Sequence, residues 1–309
     1  MTTPPTRVWP PLPYEDWEPT KQTLHRFAQI VGKVRMSLVP FRNHWWHVTL
    51  AVSAHGLTTG PMPFGDLDVE IELDFVDHRL HVRSSEGHEA GFALRDRLPC
   101  ARFYSDLFAA LSDAGVDVDI DPRPFDLGDS PAFPDDTFHD RYDADAVQRF
   151  WHVLVLTDQV LAGFASRFNG KASPTQLFWH GFDLAHARYS GRRAPPLDGA
   201  DPVTVEAYSH EVIAFGWWPG DDKTTPFPAF YSYTSPEPDG LREQPLDGPS
   251  DAAWLDTGSG SLAVLPYDAL RAVSDPASAL LGFYESAYRA GATAAGWDVE
   301  GFATSHARL

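Results

Sequence analysis

Two carboxylates stand on faces that otherwise read as apolar, Asp183 and Glu211, and His210 adjoins the second. Read as a strand, the segment from Trp179 puts Trp179, Gly181, Asp183 and Ala185 on one face, because alternate side chains share a side. Read the same way, Glu211 shares a face with Ile213, Phe215 and Trp217, while His210 points oppositely. A carboxylate on an apolar face must be paired, coordinated or protonated, since an unpaired buried charge is very costly. Two carboxylates turned towards each other from adjoining strands would push one pKa up, as general acid/base and metal sites require. For Asp183 the plainer alternative is a structural salt bridge to Arg188 or Arg192.

Histidines widen the set. Asn43-His44-Trp45-Trp46-His47 looks like a His-x-x-His pair. With His210 and Glu211, His44 and His47 would give the N/O donors typical of Zn or non-haem Fe. Pro40 precedes the segment and β-type residues follow, so a strand is the better reading. On a straight strand the two imidazoles point to opposite faces, and only one reaches a given site unless a bulge intervenes. No spacing matches an established metal motif, and a histidine among aromatics is also a common core residue.

Arg188 and Arg192 belong to the tightest positive cluster of the chain, Arg188 to Arg193. Guanidinium forks bind carboxylate or phosphate bidentately, so a small anionic ligand is one expectation and internal ion pairing the other. Trp217 and Tyr231 lie in an aromatic-rich stretch that could wall an apolar pocket or fill the core. There is no phosphate-binding glycine loop, no dinucleotide fingerprint and no Gly-x-Ser-x-Gly elbow. Gly32-Lys33 and Gly170-Lys171 read as helix ends, with Gly as C-cap and Lys suited to the dipole.

The elements that must position these residues come in two similar sets. A helix from about Asp16 ends at Pro40, with Trp17, Leu24, Phe27, Val31, Val34 and Leu38 near one face. Period-two patterning follows from Asn43 to Leu94. It is cleanest at Val69 to Phe75, where acids alternate with apolar residues as in an antiparallel strand with one solvated face. A helix from about Arg102 to Ala114 closes the set. A second long helix, Asp143 to Phe168, precedes strand-like stretches at 176–189, 207–217, 229–233 and 261–265. Helices over 267–272 and 277–295 end the chain. Short echoes link the two sets: Trp45-Trp46-His47 with Phe178-Trp179-His180, and Gly115-Val116-Asp117-Val118 with Gly296-Trp297-Asp298-Val299. The expectation is an α+β fold: two tandem copies of a helix–antiparallel sheet–helix unit packed into one globule. The copies span 14–121 and 143–300, and a Pro/Asp-rich connector over 122–142 joins them. His47 to Tyr104 covers 57 positions and His180 to Tyr284 covers 104. The second copy therefore carries long loop insertions, where binding sites tend to form.

Composition bounds the partners. The 309 residues hold 43 acidic and 24 basic side chains, a net charge of −19, which disfavours nucleic acid and anionic membranes. Cys100 is the lone cysteine, so neither an intrachain disulfide nor a thiolate metal cluster can form. No run of about 18 apolar residues and no signal-like N-terminus is present, so a soluble cytoplasmic protein is expected.

The chain also resembles an uncharacterised bacterial family of about 300 residues, a domain of unknown function. The segments that carry the likeness include Asn43-His44-Trp45-Trp46-His47-Val48, Ser190-Gly191-Arg192-Arg193-Ala194-Pro195, Ala207-Tyr208-Ser209-His210-Glu211 and Gly216-Trp217-Trp218-Pro219-Gly220. Family members often lack a histidine where this chain has His180 and His186, which the resemblance therefore ranks below His44, His47 and His210 as ligands. It implies no activity. The residues themselves give two expectations. One is a small-molecule enzyme, with or without a divalent metal such as Zn or Fe, with Asp183, His210 and Glu211 as its working groups and Arg188 and Arg192 as an anion clamp. The other is a non-catalytic ligand-binding or protein-interaction scaffold.

Overall fold

A computed structural model describes residues 8–128, 130–221, 225–258 and 260–304. The fold is α+β, built from helices and two antiparallel sheets. The chain forms two compact units that interleave along the sequence. The N-terminal unit comprises residues 15–151 and 176–183. The C-terminal unit takes in 8–14, 152–175 and 184–304 of the described residues.

The N-terminal unit opens with helix α1 (Tyr14–Leu38). Strands β1 (Ala51–Val52), β2 (Gly56–Thr58), β3 (Met62–Phe64), β4 (Leu67–Asp74), β5 (Arg79–Ser84) and β6 (Glu89–Ala93) follow, then helix α2 (Cys100–Asp113). The sheet runs β1-β2-β4-β5-β6, with β3 pairing β4 off that path. Val69, Ile71 and Leu73 of β4 are buried, whereas Glu70 and Glu72 on the other face are half-buried. The alternation read from the sequence is therefore real.

Helix α1 continues through Gly32-Lys33, so these residues do not cap a helix. A Cβ at position 32 would overlap the Trp179 ring, and the glycine is what lets that indole lie against the helix. Lys33 is buried, and its Nζ donates to the carbonyls of Asp121 and Arg123 at 3.1 and 2.7 Å. Lys33 is the last of a polar stripe at i, i+4 spacing. Gln29 exchanges hydrogen bonds with the backbone of Phe125, at 2.9 and 2.8 Å. His25 Nε2 lies 2.9 Å from the Trp179 carbonyl and 3.0 Å from that of His180, and burial drives its pKa down to about 3. Beside the stripe, Arg26 pairs with the fully buried Asp136 at 3.2 Å. The Pro/Asp-rich segment over 121–136 is thus clasped to α1 through its backbone, where an amphipathic helix would have met water.

In the C-terminal unit the second half of helix α3 (Ala144–Ala165) precedes β8 (Asp183–Arg193), short helix α4 (Pro202–Ala207), β9 (His210–Trp218), β10 (Ala229–Ser235), β11 (Ala253–Asp256) and β12 (Ser261–Pro266). These strands lie in the order β11-β12-β10-β9-β8. Helices α5 (Tyr267–Arg271) and α6 (Pro276–Ala294) complete the unit. Phe164, Phe215, Phe230 and Tyr284 stack edge-on or tilted in its core, with centroids 4.7 to 6.4 Å apart.

Two segments depart from the strand reading. Asn43–Trp45 is a 3-10 turn in which His44 and Trp45 both have positive φ, 57° and 61°. Trp179–Phe182 is likewise a turn, between β7 (Gln176–Phe178) and β8, with Phe182 at φ 59°. Period-two counting through either segment assigns the wrong faces, because a turn does not preserve strand alternation.

Candidate functional site

The site is built at one end of the β8–β9 pair. These strands are antiparallel, with Leu184 opposite Trp217 and Tyr189 opposite Val212, and the register shifts between Tyr189 and Arg193. Gly191 sits in the shift with φ 86°, a conformation glycine adopts without strain. The bulge presents Ser190 and Arg192 to the side chain of Glu211. Ser190 Oγ donates to Glu211 Oε2 at 2.9 Å. Arg192 donates through Nε to Oε1 at 3.0 Å and through Nη2 to Oε2 at 2.7 Å, a bidentate fork. Trp297 Nε1 adds a third donor at 2.9 Å. The same guanidinium also donates to the Ala295 and Gly296 carbonyls, 2.8 and 3.2 Å away, just past the end of α6. A cation there suits the negative end of the helix dipole. Burial works to raise the Glu211 pKa, but Arg192, Ser190 and Trp297 outweigh it and hold the carboxyl below its ordinary range.

Glu211 and Trp297 line a half-open cavity of about 190 Å³, whose other wall carries Thr234, Ser235 and Glu237. At roughly 30 Å³ per liquid water, it has room for about six waters. Glu237 is exposed and is steadied by Ser261, whose Oγ donates at 2.6 Å while accepting from Arg242 Nε at 2.7 Å. Prolines 236 and 238 and Ala295 supply the apolar lining.

The other expected residues lie elsewhere. Asp183 begins β8, one residue before the Leu184–Trp217 pair, whereas Glu211 lies beyond the Tyr189–Val212 pair. The five residue steps from Leu184 to Tyr189, at about 3.3 Å each, put roughly 17 Å of strand between the two ends. The expectation that Asp183 and Glu211 face each other is therefore overturned: they sit on neighbouring strands at opposite ends. Asp183 Oδ1 instead folds over the turn, 2.7 Å from where a Gly181 Cβ would stand. His210 opens β9 opposite Arg193, with Nδ1 3.1 Å from Ser209 Oγ. Partial burial, then Lys171 and Arg193, lower its pKa.

Arg188 is 1% exposed and makes no ion pair within 4.0 Å among the described residues. Its guanidinium lies 3.4 Å from the Phe164 ring centroid and 4.4 Å from that of Tyr288, while Nη2 donates to the Phe164 carbonyl. Desolvation lowers its pKa to about 10, only partly offset by Glu285. Trp217 is fully buried against Tyr267, and Tyr231 stacks on Tyr233 with centroids 6.2 Å apart. Of the residues proposed for the site, the structure brings Glu211 and Arg192 together. Trp297, Thr234 and Glu237 were missed. Trp297 was visible only as part of an echo, and Glu237 sits in a proline-flanked loop that carries no pattern.

His44 and His47 belong to the N-terminal unit, and His210 and Glu211 to the C-terminal one. His47 Nδ1 accepts the Arg42 backbone N–H at 3.2 Å. Among the described residues no group of three or more His, Cys, Asp or Glu side chains is arranged to hold a metal ion. The metal set read from the sequence is not assembled.

Residues 9–304 match a family of unknown function, DUF5996, so the chain belongs to that family. No curated protein and no solved structure matches it. No helix among the described residues is long and apolar enough to cross a membrane.

Proposed function

We propose that the C-terminal unit is a small-molecule binding module whose ligand, a compact organic cation such as a primary amine, lies between Glu211 and Glu237. The observation that carries this reading is a cavity-lining carboxylate, Glu211, held ionised by three separate donors. A general acid or base needs a pKa near the working pH, and the network moves Glu211 the other way. Binding is therefore favoured over acid/base catalysis by Asp183, His210 and Glu211. An anionic ligand would have to displace Glu211 from Arg192, whereas a cation meets Glu211 Oε1 and Glu237 directly. The chain's net charge of −19 draws cations to its surface.

The test follows the Trp297 indole N–H by ¹H–¹⁵N NMR during titration with 1,4-diaminobutane and with neutral 1,4-butanediol. A saturable shift with the diamine alone, weakened at least fivefold in Glu237→Gln, is expected. No shift, or an equal shift with the diol, rules the cavity out as a cation site.

A further inference from the structure

The turn after α1 holds a combination that nothing so far has used. Phe41 is 59% exposed, and its ring meets Trp45 and His47 edge-on, with centroids 5.6 and 5.1 Å away. Trp45 in turn stacks on His47 at 5.6 Å with 27° between the planes. Aromatic side chains are set this way by two successive non-glycine residues in the left-handed region, His44 and Trp45. Such conformations cost of order 1–3 kcal/mol each and persist where the surroundings enforce them, frequently at binding sites.

Two arginines border the cluster. Arg42 is exposed, and its guanidinium has no ion-pair partner among the described residues. Arg35 gives Nη1 to the Thr59 carbonyl, and its buried Nε has no hydrogen-bond partner. Burial first, and the neighbouring Arg42 second, depress the Arg35 pKa. Both cations also bear on His47, whose pKa is lowered chiefly by burial. Since His47 Nδ1 accepts the Arg42 N–H, the proton of the neutral ring is on Nε2, which is a further donor. In a chain with 43 acidic side chains, none of those among the described residues pairs with either of these neighbouring guanidiniums, which stand beside a partly exposed aromatic face. Like charges held together without a counterion are the usual mark of an anion site, and the rings add a surface for a flat apolar body.

We propose that this turn of the N-terminal unit, centred on Phe41, Arg42, Trp45 and His47 with Arg35 behind, binds a small planar anion: an aromatic ring bearing a carboxylate or a phosphate. The acid group is held by Arg42 and the His47 Nε2–H, and the ring stacks on the Phe41–Trp45 face. This site is independent of the Glu211 cavity, and either can fail without the other.

The probes are 2-naphthoate for the carboxylate, adenosine monophosphate for the phosphate, and 2-naphthalenemethanol as the neutral counterpart. Binding is followed at the Trp45 indole and the His47 ring by NMR, at two salt concentrations. The expected result is saturable binding of one or both anions, weakened by salt and at least tenfold weaker in Arg42→Gln. The responding anion tells which acid group the site prefers. Arg42 is exposed and its guanidinium has no hydrogen bond or ion pair among the described residues, so Arg42→Gln should unfold at the wild-type temperature, which keeps the loss interpretable. Failure of both anions to bind, binding of the alcohol as tightly as of naphthoate, or undiminished binding by Arg42→Gln overturns the proposal.

Discussion

Arg192, near the end of β8, and Arg42, just after α1, are treated oppositely by the fold. Arg192 is locked to Glu211, to two carbonyls at the end of α6 and, through the carboxylate, to Ser190 and Trp297. Arg42 has a guanidinium with no acid partner among the described residues, beside Arg35, whose guanidinium donates to the Thr59 carbonyl. Arg188 is a third case, a cation enclosed by rings. The lesson is that arginine clusters in a sequence do not mark anion sites by themselves. What matters is whether a carboxylate has already taken the fork. In the densest cluster Arg188 and Arg192 are structural, and the inconspicuous Arg42, with Arg35 behind it, is exposed without an acid partner among the described residues.

The sharpest way to break this comparison is Arg188. Removing a large side chain from a closed aromatic cage leaves a cavity, so Arg188→Ala should cost about 3 kcal/mol in denaturant unfolding. Arg188→Met fills the space without a buried charge and should be close to neutral. If both variants lose the same stability, the cation itself holds the cage together. Next comes Gly32→Ala, which drives a methyl into the Trp179 ring and should cost about 1–3 kcal/mol by overpacking. An unchanged unfolding midpoint would show that the indole moves freely off α1.

Glu211→Gln tests the locked arginine. Arg192 is half exposed, at 51%, so solvent screening limits the loss to about 1 kcal/mol. Asp183→Asn should have an independent effect. The two ends of the strand pair do not touch, so the double variant should be additive within about 0.5 kcal/mol. A larger coupling, read from a double-mutant cycle, would restore the idea of a joint acid pair.

The smallest effect concerns pH. His55 Nδ1 lies 3.0 Å from Asp74 Oδ2, and this hydrogen bond raises the His55 pKa. Burial opposes ionisation of Asp74, but the backbone N–H of Asp77, His55 and the N–H of Val76 prevail and lower its pKa. The His55 contribution is complete below the ordinary imidazole value of 6.5 and fades as pH rises through the raised value. The Asp74 contribution is complete above 3.8 and fades as pH falls through the lowered value. The stability gap between wild type and Asp74→Asn should therefore be widest between those two pH values. A gap that does not vary with pH would mean that the pair is not ionic.

Much of this architecture was legible in the chain. The stripes of α1, α2, α3 and α6 and the alternation of β4 locate the elements to within a few residues, because each buries a face whose period the sequence must keep. The turns were not legible. Trp45-Trp46-His47-Val48 has strand composition, and neither His44 nor Trp45 carries the glycine or asparagine that normally announces a left-handed residue. Counting alternate faces across Trp179–Phe182 misplaced Asp183, and the Arg192 salt bridge weighed for Asp183 is made by Glu211 instead. The polar stripe of α1, Lys21, His25, Gln29 and Lys33, was visible at every fourth position and reads as a wet face. The partners of Gln29 and Lys33 are backbone atoms of a proline-rich segment, which no side-chain pattern encodes.

The account rests most heavily on Glu211 being a fixed anion in a binding cavity. Its side-chain carboxyl can be followed directly by ¹³C NMR through an acid titration, with Arg192→Gln as the control. The structure predicts a midpoint below the ordinary glutamate value of 4.5, rising in the variant. A midpoint above 4.5 in the wild-type protein would contradict it, and would make Glu211 a proton donor instead.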